Sequence, residues 1–485
     1  MLNYKTIYKV LGVLLYIEAS LMLWCLVMSV CYKEDDMPSL IVSVVVTLFF
    51  AFLLRFMGRN SDNSLSRRDS FFVVTFSWIL FSLFGTLPFL LSGYITSFTD
   101  AYFETMSGFT TTGATILKNV EALPHGLLFW RSLTQWIGGL GITFFTIALL
   151  PSMVNGSVKV FAAEATGPFR TKLHPRLSTS AKWIWMVYLV LTVACMGSFM
   201  LFGMNWFEAI NFSMTSTATG GFGIYNDSIE HFHSPAIEYT CTLFCFLAGI
   251  SFTLLYTCVA KFRFKELFRS SEFKLYFLLA AGFSAFIFAE LILRNHYGIE
   301  HAFRSAVFQV VSFMTTTGLF NDDAGQWPHV TWVVLAVCMF VGGCSGSTSG
   351  GFKCIRIVMV LKVIRNEFRH MLHPNAVLPL KVDGYDVPYQ NRVTLLAFLS
   401  TYLVLCLILS FFVISAGVDN TNAITIVLSS IGNVGPTLGI EIGPTMDWGM
   451  LPGYVKWVCS FLMLVGRLEL FSVLVIFAPV YWKEN

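Results

Sequence analysis

The chain of 485 residues is 56% hydrophobic and 16% aromatic, and only 12% of its residues are charged. A water-soluble domain carries about 25% charged residues, so this composition excludes a soluble globular protein and predicts a protein largely covered by the lipid bilayer. The formal net charge of +3 is small and does not indicate nucleic-acid binding.

Ten apolar segments are long enough to cross a hydrocarbon layer about 30 Å thick. They cover residues 7–32, 37–56, 70–93, 127–151, 183–204, 239–260, 275–293, 330–342 with an irregular continuation, 393–417 and 454–479. The first lacks a signal-peptidase cleavage site and is predicted to be a retained helix. An even number of spans places both termini on the same side of the membrane.

Basic residues concentrate in the loops on one side. Four arginines lie between residues 55 and 68, and five lysines or arginines lie between residues 159 and 182. Loops on the other side are acidic and contain Asp227, Glu230, Asp322 and Asp323. Because Lys and Arg mark the cytoplasmic face, both termini are predicted to be cytoplasmic.

Four short segments between spans share one pattern, which is an apolar helical stretch, then small polar residues, then glycine. They cover residues 103–113, 207–220, 307–318 and 424–435. The pattern predicts an all-α integral membrane protein with four degenerate membrane–pore–membrane repeats around one pore, plus two N-terminal transmembrane helices. The predicted units are residues 1–69, 70–182, 183–273, 274–391 and 392–485.

The helical stretch of each segment has roughly ten residues and reaches about 15 Å, half of the membrane. Irregular backbone at that depth is tolerated only inside protein or along a water-filled path. Four such turns around one axis can form a cation filter, in which carbonyl oxygens replace the water around an ion and glycine permits the unusual backbone. Ordinary Thr/Gly turns are the alternative, but four turns in register favour a filter. The predicted filter residues are Thr111, Thr112, Gly113, Ala218, Thr219, Gly220, Thr316, Thr317, Gly318, Asn433, Val434 and Gly435.

Six motifs together resemble the Trk/Ktr/HKT superfamily of potassium transporters, and within it the TrkH family. They are GFTTTGAT, LPHGLLFWRSLTQWIGGLGI, TATGGFG, MTTTG, GGCSGSTSGGFK and GNVGP. The two extra N-terminal spans fit TrkH better than KtrB. The resemblance covers essentially the whole chain and implies K⁺ as the transported ion, with Rb⁺ also accepted and Na⁺ rejected. It also implies a homodimer with one pore per subunit, no cofactor in this chain, and a cytoplasmic TrkA-type ring that binds nucleotide and regulates opening. The fourth repeat departs from the Thr-Gly pattern at Asn433 and Val434.

The segment 342–353 is too rich in glycine and small polar residues to form a stable helix. It lacks the GK[ST] of a phosphate-binding loop and lies between apolar helical segments. The resemblance implies that it is an intramembrane loop below the filter that obstructs the path and moves on gating. The predicted gate residues are Gly342, Gly343, Ser345, Gly346, Ser347, Thr348, Ser349, Gly350, Gly351 and Lys353.

Arg467 is predicted to belong to the same gate. Aligning Met339 to Gly343 with Met463 to Arg467 places this arginine at the depth of the loop, where a charge is costly and by default functional. Facing the axis, it would repel cations. The alternative is a structural pair with a carboxylate, although Glu469 is too close in sequence to share its helix face. Glu18 and Glu290 also lie in apolar runs, and structural pairing is predicted for them.

Two other classes of function compete with a channel-like pore. A K⁺/H⁺ or K⁺/Na⁺ symporter with alternating access also uses broken helices, but such proteins usually contain two inverted repeats rather than four repeats of one orientation. An intramembrane enzyme needs a nucleophile–base pair or a metal cluster within the spans, and the sequence offers neither, so the chain is predicted not to be an enzyme.

Overall fold

The structure, a computed structural model, describes residues 2–61, 64–141, 177–376, 378–439 and 442–483. In the described part, helices account for nearly all regular structure. In chain order they are α1 (Tyr4–Tyr32), α2 (Met37–Met57), α3 (Arg67–Gly85), α4 (Leu87–Ser92), α5 (Phe98–Phe109), α6 (His125–Leu140), α7 (Leu177–Leu201), α8 (Trp206–Ala218), α9 (Pro235–Ala248), α10 (Phe252–Lys261), α11 (Phe264–Arg269), α12 (Ser271–Asn295), α13 (Ile299–Met314), α14 (His329–Val341), α15 (Cys354–Leu372), α16 (Tyr389–Ser415), α17 (Asn420–Gly432), α18 (Gly453–Arg467), α19 (Phe471–Phe477) and α20 (Pro479–Trp482). Two 3₁₀ turns (Glu230–Phe232 and Ala324–Gln326) and one antiparallel pair of strands, β1 (Lys381–Val382) and β2 (Tyr385–Asp386), complete the list.

The predicted membrane–pore–membrane pattern is present four times. Each repeat consists of a first span, a half-helix and a second span, and the half-helices are α5, α8, α13 and α17, with 12, 13, 16 and 13 residues. Three of them begin at a side-chain cap, in which Ser97, Asn205 or Asp419 accepts from a backbone N–H of the first turn. The predicted fold class is therefore confirmed.

The N-terminal helices α1 and α2 form a hairpin that packs against the first repeat through α1, α3 and α6. At one end of the hairpin, Glu34 accepts hydrogen bonds from the backbone N–H of His125 at 2.6 Å and lies 2.7 Å from its Nδ1. At the other, Asp69 accepts from the backbone N–H of Asn3 at 3.0 Å. Contacts at both ends fix the hairpin to the repeat.

The ten predicted spans are only partly reproduced. The described residues contain six helices that are long and apolar enough to cross a membrane, or eight if each of two bent pairs is counted as one span. Helix α14, with 13 residues, is too short alone. The predicted span 127–151 is described only as far as Gly141, so its remainder lies outside the described residues.

Two predicted continuous spans, 239–260 and 454–479, are in fact broken. Helices α9 and α10 meet at 102°, and α18 and α19 meet at 118°. At the first break, a Cβ on Gly249 would lie 2.5 Å from the hydroxyl oxygen of Tyr276, so no residue with a side chain fits at this position. At the second, Glu469 and Leu470 both have positive φ, at 55° and 46°. Tertiary packing has overridden the continuous apolar pattern at both sites.

Candidate functional site

Each half-helix ends in the same turn, although the sequences differ. A residue one or two positions after the helix end is left-handed in all four repeats, with φ of 52–56° at Thr111, Thr219, Thr316 and Asn433. The next residue donates its N–H five residues back, as Thr112 does to Ser107 at 2.9 Å, and this is the Schellman pattern that satisfies helix-end carbonyls. A β-branched threonine is rarely left-handed, so three of these turns hold strained residues of the kind that clusters at functional sites.

A glycine with positive φ follows two residues after each left-handed residue. These glycines are Gly113, Gly221, Gly318 and Gly435, with φ of 83°, 88°, 78° and 101°. The sequence alignment of the second repeat was therefore wrong by one residue. Gly221, rather than Gly220, matches Gly113, while Gly220 occupies the position of Thr112, and Ala218 is the last residue of α8. Because Gly220 and Gly221 are adjacent, the sequence alone does not indicate which of them corresponds to Gly113.

The four glycines form a closed ring of contacts. A Cβ on Gly113 would overlap the carbonyl oxygen of Gly220, and a Cβ on Gly221 would overlap that of Thr317. Gly318 stands in the same relation to Val434, and Gly435 to Thr112. Each repeat thus touches the next in the order one, two, three, four and back to one. The segments surround a single axis, and no side chain fits at any of the four glycines.

The backbone carbonyls of this ring are nearly all without donors. Among the described residues, the carbonyl oxygens of residues 111–113, 219–221, 316–318 and 433–435 accept no hydrogen bond, with the single exception of Gly220. Threonines and their counterparts here are almost fully buried, with 0–1% of their surface exposed. Buried carbonyls normally find a partner, so this arrangement suits an occupant that is a cation rather than another part of the chain.

Side chains behind the ring differ between repeats. In the first and third repeats, two threonine hydroxyls form a hydrogen bond behind the turn. Thr110 bonds to Thr112 at 2.8 Å, and Thr315 bonds to Thr317 at 2.7 Å. The fourth repeat instead uses Asn433, a residue that tolerates the left-handed region, and its Nδ2 donates to Thr112 Oγ1 at 3.1 Å. This contact explains the departure from the threonine pattern, because the asparagine braces the neighbouring repeat.

Buried ion pairs brace the outer ends of the filter segments, and the sequence did not single them out. Arg131 on α6 pairs with Glu104 on α5 at 2.9 Å and donates to the carbonyl of Gly223 at 2.9 Å. Glu104 in turn accepts from Ile116 N at 3.0 Å. The pair ties the segment leaving the first filter strand to the segment leaving the second. No short-range pattern could have signalled it, because the partners are 27 residues apart.

The 342–353 loop is a closed hairpin between α14 and α15. Its stem is joined by backbone bonds from Phe352 to Phe340 and from Lys353 to Val341, both at 2.9 Å. Gly342 and Gly351 have positive φ and approach so closely that a Cβ on Gly342 would lie 2.9 Å from Gly351 Cα. The prediction of an irregular segment that interrupts the span is confirmed.

The C-terminal arm of this loop lies directly against the half-helix ends. Gly350 N donates to Thr316 Oγ1 at 2.7 Å, and Gly351 N donates to the carbonyl of Gly432 at 2.9 Å. Thr348 Oγ1 donates to the carbonyl of Thr217 at 3.1 Å. The loop therefore contacts the second, third and fourth repeats at once and occupies the space next to their filter turns.

Two cationic side chains contact the loop, the partly buried Arg467 at the end of α18 and the buried Lys353 of the loop itself. Arg467 donates to the carbonyls of Thr348 at 2.9 Å, Gly138 at 2.5 Å and Gly139 at 2.6 Å. Lys353 donates from Nζ to the carbonyl of Ser349. Arg467 thus bridges the fourth repeat, the loop and the C-terminal end of α6, where the helix dipole favours positive charge. Three of its partners are therefore backbone carbonyl oxygens.

Other buried carboxylates have separate places. Glu272 on α12 accepts from Ser345 N at 2.6 Å and from Ile355 N at 3.1 Å, so one side chain holds both arms of the loop, a role that sequence reasoning missed. Glu469 pairs with Arg356, and Glu290 pairs with Arg294 at 2.7 Å. Glu18 differs from the predicted structural pairing, because neither of its oxygens has a hydrogen-bond partner among the described residues.

A ring of strained turns from four repeats, in which nearly all carbonyls lack a donor, is typical of a membrane protein that passes cations. The family model for TrkH, described as a cation transport protein, matches residues 38–484. The chain is 35% identical over 485 residues to the Trk system potassium uptake protein TrkH of Halomonas elongata and 32% identical over 488 residues to that of Escherichia coli, each match covering 100% of both chains. The crystal structure of the potassium transporter TrkH from Vibrio parahaemolyticus aligns with a TM-score of 0.89 at 32% identity, over 99% of this chain and 100% of that one. The chain belongs to the TrkH family.

Proposed function

We propose that this chain carries K⁺, and also Rb⁺, across the bacterial cytoplasmic membrane through the ring of residues 111–113, 219–221, 316–318 and 433–435. The observation that carries the proposal is the closed contact ring, in which four left-handed glycines meet the carbonyls of the next repeat. Carbonyl oxygens there replace the hydration shell of a dehydrated ion. The negative ends of the four half-helices point at the same place and favour a cation. The potassium uptake function in the names of the relatives supports the choice of ion.

The loop and Arg467 form the gate in this proposal. Backbone N–H and hydroxyl groups of the loop donate hydrogen bonds to carbonyls and hydroxyls at the half-helix ends. Lys353 and Arg467 place positive charge beside the ion path. An approaching cation meets both a steric and an electrostatic barrier. Opening requires the C-terminal arm of the loop to leave Thr316 and Gly432.

The wider assembly is also part of the proposal. Both termini lie in the cytoplasm, the divisions fall after residues 69, 182, 273 and 391, and two copies associate with one pore each. A cytoplasmic TrkA-type ring that binds nucleotide controls the loop. The basic helix α15, which follows the loop directly, gives that ring a contact close to the gate. The chain acts as a transporter rather than an enzyme and carries no cofactor of its own.

A symporter coupled to H⁺ or Na⁺ is the second candidate. It is favoured by the breaks in the second spans of the second, third and fourth repeats, which follow α9, α14 and α18. Single-channel recording of the purified protein in a planar bilayer distinguishes the two. The channel proposal expects discrete openings whose reversal potential follows the K⁺ gradient. Silent bilayers combined with ⁸⁶Rb⁺ uptake that depends on a proton or sodium gradient would support the symporter instead.

A further inference from the structure

Gly220 is the one filter position at which a glycine is present without a conformational need for it. Its φ does not lie in the left-handed region, and the corresponding positions hold Thr112, Thr317 and Val434. The backbone there accepts even β-branched residues. A reason other than backbone freedom must therefore account for the missing side chain.

The space beside Gly220 is filled by Gln135. A Cβ on Gly220 would lie 2.5 Å from Gln135 Oε1 and 2.9 Å from its Nε2. Gln135 is on α6, the second span of the first repeat, and none of its surface is exposed. The glutamine of one repeat thus takes up the volume that a side chain of the next repeat would need.

Gln135 makes two hydrogen bonds to the filter segment of the second repeat. Its Nε2 donates to the carbonyl of Gly220 at 2.6 Å, and its Oε1 accepts from Phe222 N at 3.0 Å. An amide is suited to this because it has both a donor and an acceptor. The two bonds flank Gly221, the ring glycine of that repeat. Gly220 is also the single ring position whose carbonyl has a donor among the described residues.

The chain contains its own comparison for this site. Gln135 to Gly139 aligns with Cys245 to Gly249, Met339 to Gly343 and Met463 to Arg467. The alignment is supported by the packing, because a Cβ on Gly138 would overlap the carbonyl of Phe109 and one on Gly466 would overlap that of Ile431. The three repeats with Cys or Met at this position precede a repeat with Thr or Val in the filter. The repeat with Gln precedes the repeat with glycine.

We propose that Gln135 is a positioning residue that sets ion selectivity by holding the filter strand of the second repeat, in place of the side chain that Gly220 lacks. The inference rests on the proposed filter function. By fixing the peptide on each side of Gly221, the amide holds the Gly220 carbonyl at a set distance from the axis. It also withdraws part of that oxygen's electron density, so the second repeat attracts the ion less strongly than the others do.

The test compares Gln135→Met with wild type, because methionine is the residue that the third and fourth repeats use at this position. Purified protein in proteoliposomes is assayed for ⁸⁶Rb⁺ uptake with K⁺ or Na⁺ as competitor. Loss of two buried hydrogen bonds should lower the preference for K⁺ over Na⁺ about tenfold. Trp136→Phe is the matched control, since it removes a buried donor to Thr192 one residue along the same helix and should leave the preference unchanged.

A pair of compensating substitutions at Gly220 and Gln135 tests the proposal independently. Gly220→Thr alone should lose uptake because its Cβ overlaps Gln135. Gly220→Thr combined with Gln135→Ala places a threonine at the position of Thr112 and removes the side chain that it would overlap, so the double variant should regain selective uptake. Wild-type selectivity in folded Gln135→Met, or a double variant no better than Gly220→Thr, would overturn the role of Gln135. The filter itself is judged separately by Gly113→Ser, so the two proposals fail by different measurements.

Discussion

The filter ring and the loop beside it differ in how they are built. The ring repeats one backbone geometry four times, and its closest contacts are between main-chain atoms of successive repeats. The loop, by contrast, appears in the third repeat only, among the three repeats whose second spans are described beyond their break. Side chains from other elements hold it, above all Glu272, Thr316 and Arg467. In the proposed function, selectivity therefore rests mainly on the repeated ring, and control rests on an element that one repeat adds to it.

Gly113→Ser should give the largest effect, because it attacks the ring where no side chain fits. The added Cβ overlaps the Gly220 carbonyl and the backbone is left-handed, so the ring must open. The preference for K⁺ over Na⁺ should fall at least about tenfold, or about 1.4 kcal/mol. Reversal potentials in mixed K⁺ and Na⁺ solutions measure it.

Gly93→Ala is the control for Gly113→Ser, because it puts a side chain on a left-handed glycine without an overlap with neighbouring atoms. Gly93 has φ of 78° but no atom within 4 Å of an added Cβ. It should retain the wild-type permeability ratio. An unchanged ratio in Gly113→Ser would remove the ring from the selectivity mechanism.

Arg467→Ala should have the second largest effect and act on the gate alone. Removing the guanidinium frees the carbonyls of Thr348, Gly138 and Gly139 and lowers the positive charge on the ion path. Basal ⁸⁶Rb⁺ uptake in proteoliposomes should rise several-fold with the K⁺/Na⁺ ratio unchanged. Arg365→Ala, which removes an exposed charge from α15, should behave as wild type. Uptake at or below the wild-type level in Arg467→Ala would contradict a barrier role.

Glu272→Ala should produce a smaller rise in basal uptake, because it releases Ser345 and Ile355 rather than the part of the loop that contacts the half-helix ends. The carboxylate accepts from both Ser345 N and Ile355 N, and alanine leaves these two donors unmatched. Glu272→Gln keeps an oxygen acceptor and should lie between alanine and wild type. If glutamine and alanine raise uptake equally, the charge rather than the hydrogen bonds holds the loop.

Thr110→Ala should have the smallest effect. It removes the hydroxyl pair with Thr112, at a position where the second repeat naturally has Ala218. A loss of about 1 kcal/mol in the free energy of unfolding is expected from one buried hydrogen bond. The melting temperature should fall slightly, and ⁸⁶Rb⁺ competition by Na⁺ should stay the same. A large change in competition would mean that the hydroxyl pair, and not only the backbone, sets selectivity.

Local sequence was sufficient for the parts of the molecule that repeat. The half-helices, their glycine turns and the irregular 342–353 loop were all predictable, because helix length and glycine content are properties of short segments. The register of the second repeat was not, since Gly220 and Gly221 differ only in a backbone angle that neighbours impose. The breaks after Ala248 and Arg467, and the partners of Glu272 and Glu469, were also missed. They depend on residues up to 113 positions away, which one sequence does not reveal.

The contact of Gly435 with Thr112 means that the first and last repeats of a single polypeptide complete the ring. A pore assembled from four separate subunits is spoiled when one defective copy joins three sound ones. Here every copy carries a whole filter, so a cell that expresses both a Gly113→Ser gene and a normal gene should retain the potassium supply of the normal one. Filter lesions that only block conduction are thus expected to be recessive in inheritance.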